Sequence, residues 1–469
     1  MRTIREWLQE QGYASLPREW YEKIDAWLRW YRGKTPFHTY YQYNGQKKIK
    51  RVRKTMQMAK RVCEDRADLL LNERVHINMD SRQNQEAFDA ILEENNFPVK
   101  GNQLVELSNA TGTGAFVEYI AGGKVKIDYI QGDMIYPLSW ENGVITECAF
   151  SSEKVIRGKP FVYLNMHTKD EAGNYVIINK VFERKGDQIR EAELPDGVLP
   201  SFDTNSATPL FQIITPNVVN NSDRTNAVTA NPMGIARFAN AIDTLEFIDV
   251  IFDSFHGEFR LGKKRIVVSS RGAKIDMDSG KPLPIFDDND TEFYSMDIDE
   301  NIIKEINMAL RADDHEKALN LALNVLSIQC GFGAGYYSYD HKTGVKTATE
   351  VVSDQSVLFR NKKKDDIVIE SALRGLASAI IELNNTFTDA TAIAIKKGIS
   401  IDLDDSIIED KAATRQNALI EFNAGVIDEV EYLMETRKWT EKQATDFIKR
   451  RDKRSPKPVT QDFFGGGSE

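Results

Sequence analysis

One apolar face carried through about seven helical turns constrains this chain more than any other feature. It lies in "NPMGIARFANAIDTLEFIDVIFDSFHGEF", where Ile235, Phe238, Ile242, Leu245, Ile248, Phe252 and Phe255 recur at three- and four-residue steps. Asn231 is placed to cap such a helix and Pro232 to open it, while Gly257 and Gly262 fall near its end. A second long pattern follows, with Ile302, Ile306, Ala309, Leu310, Leu319, Leu323 and Leu326 on its apolar side. Between the two, residues 263–299 hold short strand-like runs, "RIVVSS" and "EFYSM", among turn residues. Two long helices around a small β-rich insertion predict a mixed, α+β fold.

The rest of the chain fits that class. Ile4, Trp7 and Leu8, then Trp20, Ile24, Trp27, Leu28 and Tyr31, predict two amphipathic helices within residues 1–32. "MQMAKRVCEDRADLLLNERVHIN" predicts a helix with Met58, Val62, Ala67, Leu70 and Leu71 inward, running into a strand at Val75 and Ile77. Residues 100–228 read as mainly β, with a hairpin turn at Gly122-Gly123 and strands in "VITECAF", "FVYLNMHT" and "YVIINKVFE". A third long helix is expected over 346–384, where Ile369, Leu373, Leu376, Ile380 and Leu383 share a face; the polar block "RNKKKDD" should kink it. "TAIAIKKGISIDLDD" predicts a strand pair. The last region is helical, with Gly425 closing one helix and Asp428/Glu431 and Thr440/Gln443 at capping-box spacing, before a basic, flexible tail.

Charge and motif tests exclude several chemistries. At 469 residues the chain can hold two to four domains, and its net charge of −10 argues against a protein that coats nucleic acid. Cys63, Cys148 and Cys330 lie far apart and read as buried, reduced thiols. The charged start "MRTIREWLQEQG" is no signal peptide, and no apolar run reaches the ~20 residues of a membrane helix, so a soluble protein made in a cytoplasm is expected. Lys342-Thr343 follow His341 where a P-loop needs glycine, and Gly33-Lys34-Thr35 follow a helical segment with Leu28 at the other glycine position. The six histidines form no HExxH pair, GxSxG is absent, and "DDNDTE" meets Phe293 where a calcium loop needs glycine. No catalytic residue, metal site or cofactor is expected. "KKIKRVRK", residues 47–54, carries six basic residues in eight, either as a solvated or inter-subunit charged face or as a phosphate contact.

The stretch "GFGAGYYSYDHKTGVKTATEV", residues 331–351, sets glycines, tyrosines and lysines before a helix start. Together with "AWLRWYRGKTPFHTYY", "MQMAKRVCEDRADLLLNERVHI" and "NAGVIDEVEYL", it resembles the portal proteins of long-tailed phages of Gram-positive hosts, the head-to-tail connectors. The resemblance touches most of the chain, and the TATEV helix start is its most specific part. It implies a portal-type fold with a β-rich wing (1–230 and strands in 385–405), stem helices at 231–258 and 300–333, and a small α/β clip at 259–299. A tunnel loop (334–346), a long kinked helix (347–384), a helical crown (406–455) and a flexible tail (456–469) complete it.

By the same resemblance, about a dozen copies form a ring at one capsid vertex. The ring is the conduit for double-stranded DNA in packaging and ejection, and the attachment point for the terminase motor and the head-tail adaptor. The implied partners are the chain itself, that DNA, the motor, the adaptor and the major capsid or scaffolding protein, with no membrane. The implied location is the virion, assembled in the bacterial host cytoplasm. Another virion structural protein, a minor head or adaptor protein, is the alternative. Tyr336, Tyr337, Tyr339, His341, Lys342 and Lys346 are the candidates to face DNA; the tyrosines could equally pack between subunits. Lys263, Lys264, Arg265, Arg271 and Lys274 are the candidate motor and adaptor contacts. A ring of about twelve copies would carry a formal charge of roughly −120, screened over ~10 Å, so DNA would slide past a mainly acidic wall.

Overall fold

The computed structural model describes residues 3–43, 47–72, 75–156, 158–186, 188–221, 231–261, 265–269, 293–296, 304–306, 309–338, 348–394, 398–403, 411–437 and 441–454. The architecture is mixed helix and sheet, as the sequence predicts. The chain divides into two compact units, one of residues 1–342 and 357–403, the other of 343–356 and 404–469.

The larger unit opens with α1 (Ile4–Glu10) and α2 (Arg18–Tyr31), followed by a hairpin of β1 (Thr39–Tyr43) and β2 (Lys48–Val52). Then come α3 (Met58–Leu70), β3 (His76–Asn78), α4 (Arg82–Glu94) and α5 (Phe97–Thr111). The β region holds β4 (Gly114–Ala121), β5 (Lys124–Gln131), β6 (Ile135–Glu141), β7 (Val144–Ile156), β8 (Lys159–Lys169), β9 (Tyr175–Lys185), β10 (Gln188–Ala192), β11 (Ser201–Asp203) and β12 (Phe211–Ile214). After it stand α6 (Ile242–Leu261), β13 (Arg265–Ser269), β14 (Phe293–Met296), β15 (Lys304–Ile306) and α7 (Ala312–Gln329). The long α8 (Ala348–Phe387), which belongs to this unit from residue 357 on, and β16 (Ser400–Asp402) follow. The smaller unit contains α9 (Lys411–Asn423), α10 (Glu429–Arg437) and α11 (Glu441–Arg454). There Asp428 and Glu431 form the expected capping box, and Gly425 has the left-handed φ of a helix-ending residue.

Local chemistry explains the parts that match the sequence. Thr3 and Glu6 cap α1 reciprocally, at 3.3 and 2.8 Å, which leaves Trp7 to lie edge-on against Phe182 at 5.3 Å. That contact seats α1 on an antiparallel sheet ordered β10-β9-β8-β7-β6, whose Val162, Leu164 and Met166 alternate inward. Gly122 and Gly123 join β4 to β5 with φ of 60° and 72°, the sign that a tight hairpin turn requires. A second core lies where α3, α4 and α5 meet the inward face of α8, and a third gathers α2, α3, α6 and α7.

Five expectations are corrected. Residues 97–111 are helix α5, not the start of the β region: Pro98 sits in the first turn, and Gly112 ends the helix at φ 82°. Its missing Cβ is essential, because a methyl there would stand 2.2 Å from the Gly234 carbonyl oxygen. Helix α6 starts at Ile242, not near 231. The Gly234 amide donates to Thr113 Oγ1 at 3.1 Å and the Arg237 amide to Asn109 O at 2.8 Å, so tertiary partners take donors that a helix would use. Likewise α7 starts at Ala312, because residues 304–306 pair with β13 as a strand. Lastly, α8 runs unbroken through 360–366, and β16 pairs with the distant β3 instead of a neighbouring strand. The insertion between α6 and α7 does hold a three-stranded sheet, β14-β13-β15.

Candidate functional site

The glycine-rich turn after α7 is built as a fixed base. Gly331, Gly333 and Gly335 all have left-handed φ, at 80°, 91° and 76°. Two of these reversals are held by a side chain: Asn361 of α8 donates to the Gly331 carbonyl at 3.1 Å, and Asn324 of α7 accepts the Gly335 amide at 2.8 Å. Ser327 Oγ accepts the Tyr337 amide at 3.0 Å. Phe332 is buried and stacks on Tyr336 at 4.6 Å, and Tyr336 meets Tyr337 edge-on at 4.9 Å.

This geometry separates the two tyrosines. Tyr337 is buried by its own chain and donates its hydroxyl to Asp65 Oδ2 of α3 at 2.9 Å. Burial and the Asp65 carboxylate push its pKa far up, so it stays a neutral donor. Tyr336 keeps part of its ring exposed, with its pKa pushed up to about 12, chiefly by burial. Tyr339, His341, Lys342 and Lys346 lie outside the described residues, as do Lys263, Lys264, Arg271 and Lys274. Arg265 begins strand β13.

Beneath the turn lies a charge cluster. Arg66 of α3 is fully buried, with its guanidinium 5.8 Å from the Phe332 ring. Its Nε donates to Asp365 Oδ2 of α8 at 2.8 Å, and its Nη2 donates to the same oxygen. Arg237 also donates to that oxygen and, through Nε, to Asn109 Oδ1 at 3.3 Å. The Asn217 amide completes the carboxylate with a 2.9 Å bond to Oδ1. Burial alone would raise the Asp365 pKa; Arg237 and Arg66 outweigh it and hold the carboxyl below its ordinary value. One turn away, Lys362 is buried against Asp366 at 2.9 Å. The cluster therefore sets Arg66, Arg237 and Lys362 against Asp365 and Asp366, and Arg66 Nη1 is buried with no hydrogen-bond partner.

The sequence carried a partial signal for this cluster. Arg66 stands four residues from both Val62 and Leu70, on the apolar face of α3, where a cation needs a buried partner. Cys63, Cys148 and Cys330 are free and buried, and burial raises each thiol pKa. Among the described residues no group of His, Cys, Asp and Glu is arranged to hold a metal ion, and no helix is long and apolar enough to cross a membrane.

The glycine turn after a long helix pair is held by packing and buried charge pairs, as in a structural component. Residues 18–457 match the model of a family described as phage portal protein, SPP1 Gp6-like, and the chain belongs to that family. It is a phage portal protein and so a virion component, of a structural and not an enzymatic family. No curated protein matches it significantly.

Proposed function

We propose that the chain closes into a ring of about a dozen copies whose axial channel passes double-stranded DNA during packaging and ejection. The observation that supports this is the two-sided character of α6 and α7. Leu245 and Ile248 of α6, with Leu319, Leu323 and Leu326 of α7, already fill the core of one chain. Yet Phe247 and Val250 on α6, and Leu321, Val325 and Ile328 on α7, form opposite stripes that are 38 % or more exposed. A helix that is apolar on both sides belongs inside an assembly, since a monomer gains nothing by wetting such stripes.

In this reading the tunnel loop over 334–346 lines the channel. Tyr336, Tyr339, His341, Lys342 and Lys346 meet DNA there, while Tyr337 anchors the loop base. The clip residues Lys263, Lys264, Arg265, Arg271 and Lys274 meet the terminase motor and the head-tail adaptor, and the major capsid or scaffolding protein surrounds the ring at its vertex. Electron microscopy of the purified protein tests the reading: closed rings with an axial channel are expected. A monodisperse monomer at micromolar concentration would overturn it.

A further inference from the structure

The β1–β2 hairpin has two unlike faces. Tyr40 and Arg51 turn toward α6, where the Tyr40 hydroxyl lies 3.5 Å from Asp253 and the Lys54 amide donates to the same carboxylate at 3.0 Å. The register pairs Tyr41 with Lys50, Tyr43 with Lys48 and Thr39 with Val52 on the other face. There Tyr41 and Val52 are each 66 % exposed, Tyr43 is 64 % exposed, and both lysines are exposed. Among the described residues the ribbon bonds to no third strand, and a lone two-stranded ribbon is marginal in water.

A ring with heterologous contacts needs two different surfaces on each chain, one complementary to the other. The hairpin face is aromatic and basic. The open face of α7 is aliphatic and acidic at its start: Leu321, Val325 and Ile328 continue a stripe from exposed Asp314, beside exposed Asp313 and Glu316, with Lys317 as a cation among them. We propose that the hairpin face of one copy docks on the α7 face of a second copy of this chain. Lysine stems can lie along the aliphatic stripe while their ammonium groups reach the carboxylates. Tyr41 and Val52 supply the apolar area. The proposal rests on the ring reading above and names the surfaces that join neighbours within it.

Cysteine pairs test it directly, because the three native cysteines are buried. In a Tyr41→Cys/Leu321→Cys variant, a short bismaleimide should give a ladder of covalent oligomers on a denaturing gel. A Tyr41→Cys/Val144→Cys control, with the second site at the exposed β6–β7 turn, should not. Charge reversal adds a second readout: Lys50→Glu or Asp314→Lys alone should weaken association about tenfold at low salt, and the double variant should recover most of that loss. Rings without a Tyr41–Leu321 ladder, or with a ladder only in the control, would overturn the docking while leaving the ring intact. Absence of rings in the unmodified protein would instead remove the ring reading itself, and the docking with it.

Discussion

Replacing Asp365 should cost far more than replacing either arginine that binds it. The carboxylate accepts from Arg66, Arg237 and the Asn217 amide inside the core. Asp365→Asn keeps the volume and one oxygen but leaves two buried guanidiniums without their bonded counter-charge, the nearby Asp366 being already bound to Lys362. Breaking a buried pair in this way costs about 3–5 kcal/mol. The larger unit holds roughly 390 residues, whose melting entropy is about 0.8 kcal/mol/K, so the midpoint should fall by about 4–6 °C. Arg66→Met is the contrast. It leaves Asp365 paired with Arg237, fills much of the same space, and deletes the buried Nη1 that has no acceptor. Its cost should be about 1–2 kcal/mol. Thermal melts followed by circular dichroism at neutral pH compare the two. If Arg66→Met lowers the midpoint as much as Asp365→Asn, the charge accounting is wrong. Hydrogen exchange adds a local readout: because Arg66 underlies Phe332, amides 331–338 should exchange faster in Asp365→Asn than in the unmodified protein.

Two further outcomes follow from single buried positions. Glu118 is fully buried beside the Gln212 side chain, and burial outweighs that contact and raises its pKa well above the ordinary value. Its folded pKa exceeds its unfolded one, so its stability contribution is full below the ordinary ~4.3 and is lost as pH rises toward the folded value, at up to about 1.4 kcal/mol per pH unit. Glu118→Gln should therefore flatten the fall in melting temperature between pH 5 and pH 8; an unchanged slope would refute a neutral buried carboxyl. Gly112→Ala should yield little or no soluble protein, because its Cβ would meet the Gly234 carbonyl at 2.2 Å in a left-handed backbone. Recovery of normally melting protein would show that the two loops can part at little cost.

Much of the fold is legible in the sequence because periodicity reports burial. The α2 and α3 faces, the β4–β5 turn and the inward face of α8 follow directly from residue spacing, and Trp20, Ile24, Val62, Leu373 and Leu376 are all buried. What escapes is decided by distant partners. Nothing local in residues 231–238 says that Asn109 and Thr113 will take their amides. Residues 304–306 look helical beside Ala309 and Leu310 until β13 supplies a strand to pair with. The polar block of α8 looks like a break because lysines and aspartates rarely enter a core; Arg66 and Arg237, far away in the chain, make its aspartate at home there. The glycines of the turn were legible as bends, but the use of Tyr337 was not, since its partner Asp65 lies on another helix.

The placement of cations bears on how an acidic chain can handle DNA without holding it. Affinity for a duplex grows with the number of lysines and arginines that reach phosphates, and each such contact adds to the salt dependence. Here Arg66, Arg237 and Lys362 are buried against Asp365 and Asp366 and can reach no phosphate. Arg61 is bound to Asp65, and Arg311 to Glu258, whose carboxyl the Arg311 amide and His315 hold down to about 2. In our proposal Lys48 and Lys50 face a neighbouring chain. Seven lysines and arginines are thereby committed within the protein or, in our proposal, between its copies, and the channel wall of that proposal would be acidic, in keeping with the net charge of −10. On that surface Lys342 and Lys346 would be few, flexible point charges on a loop whose base is fixed by Asn324, Ser327 and Asn361. Weak contacts on a firmly seated loop are what a conduit needs: enough attraction to keep the duplex centred, too little to stop it.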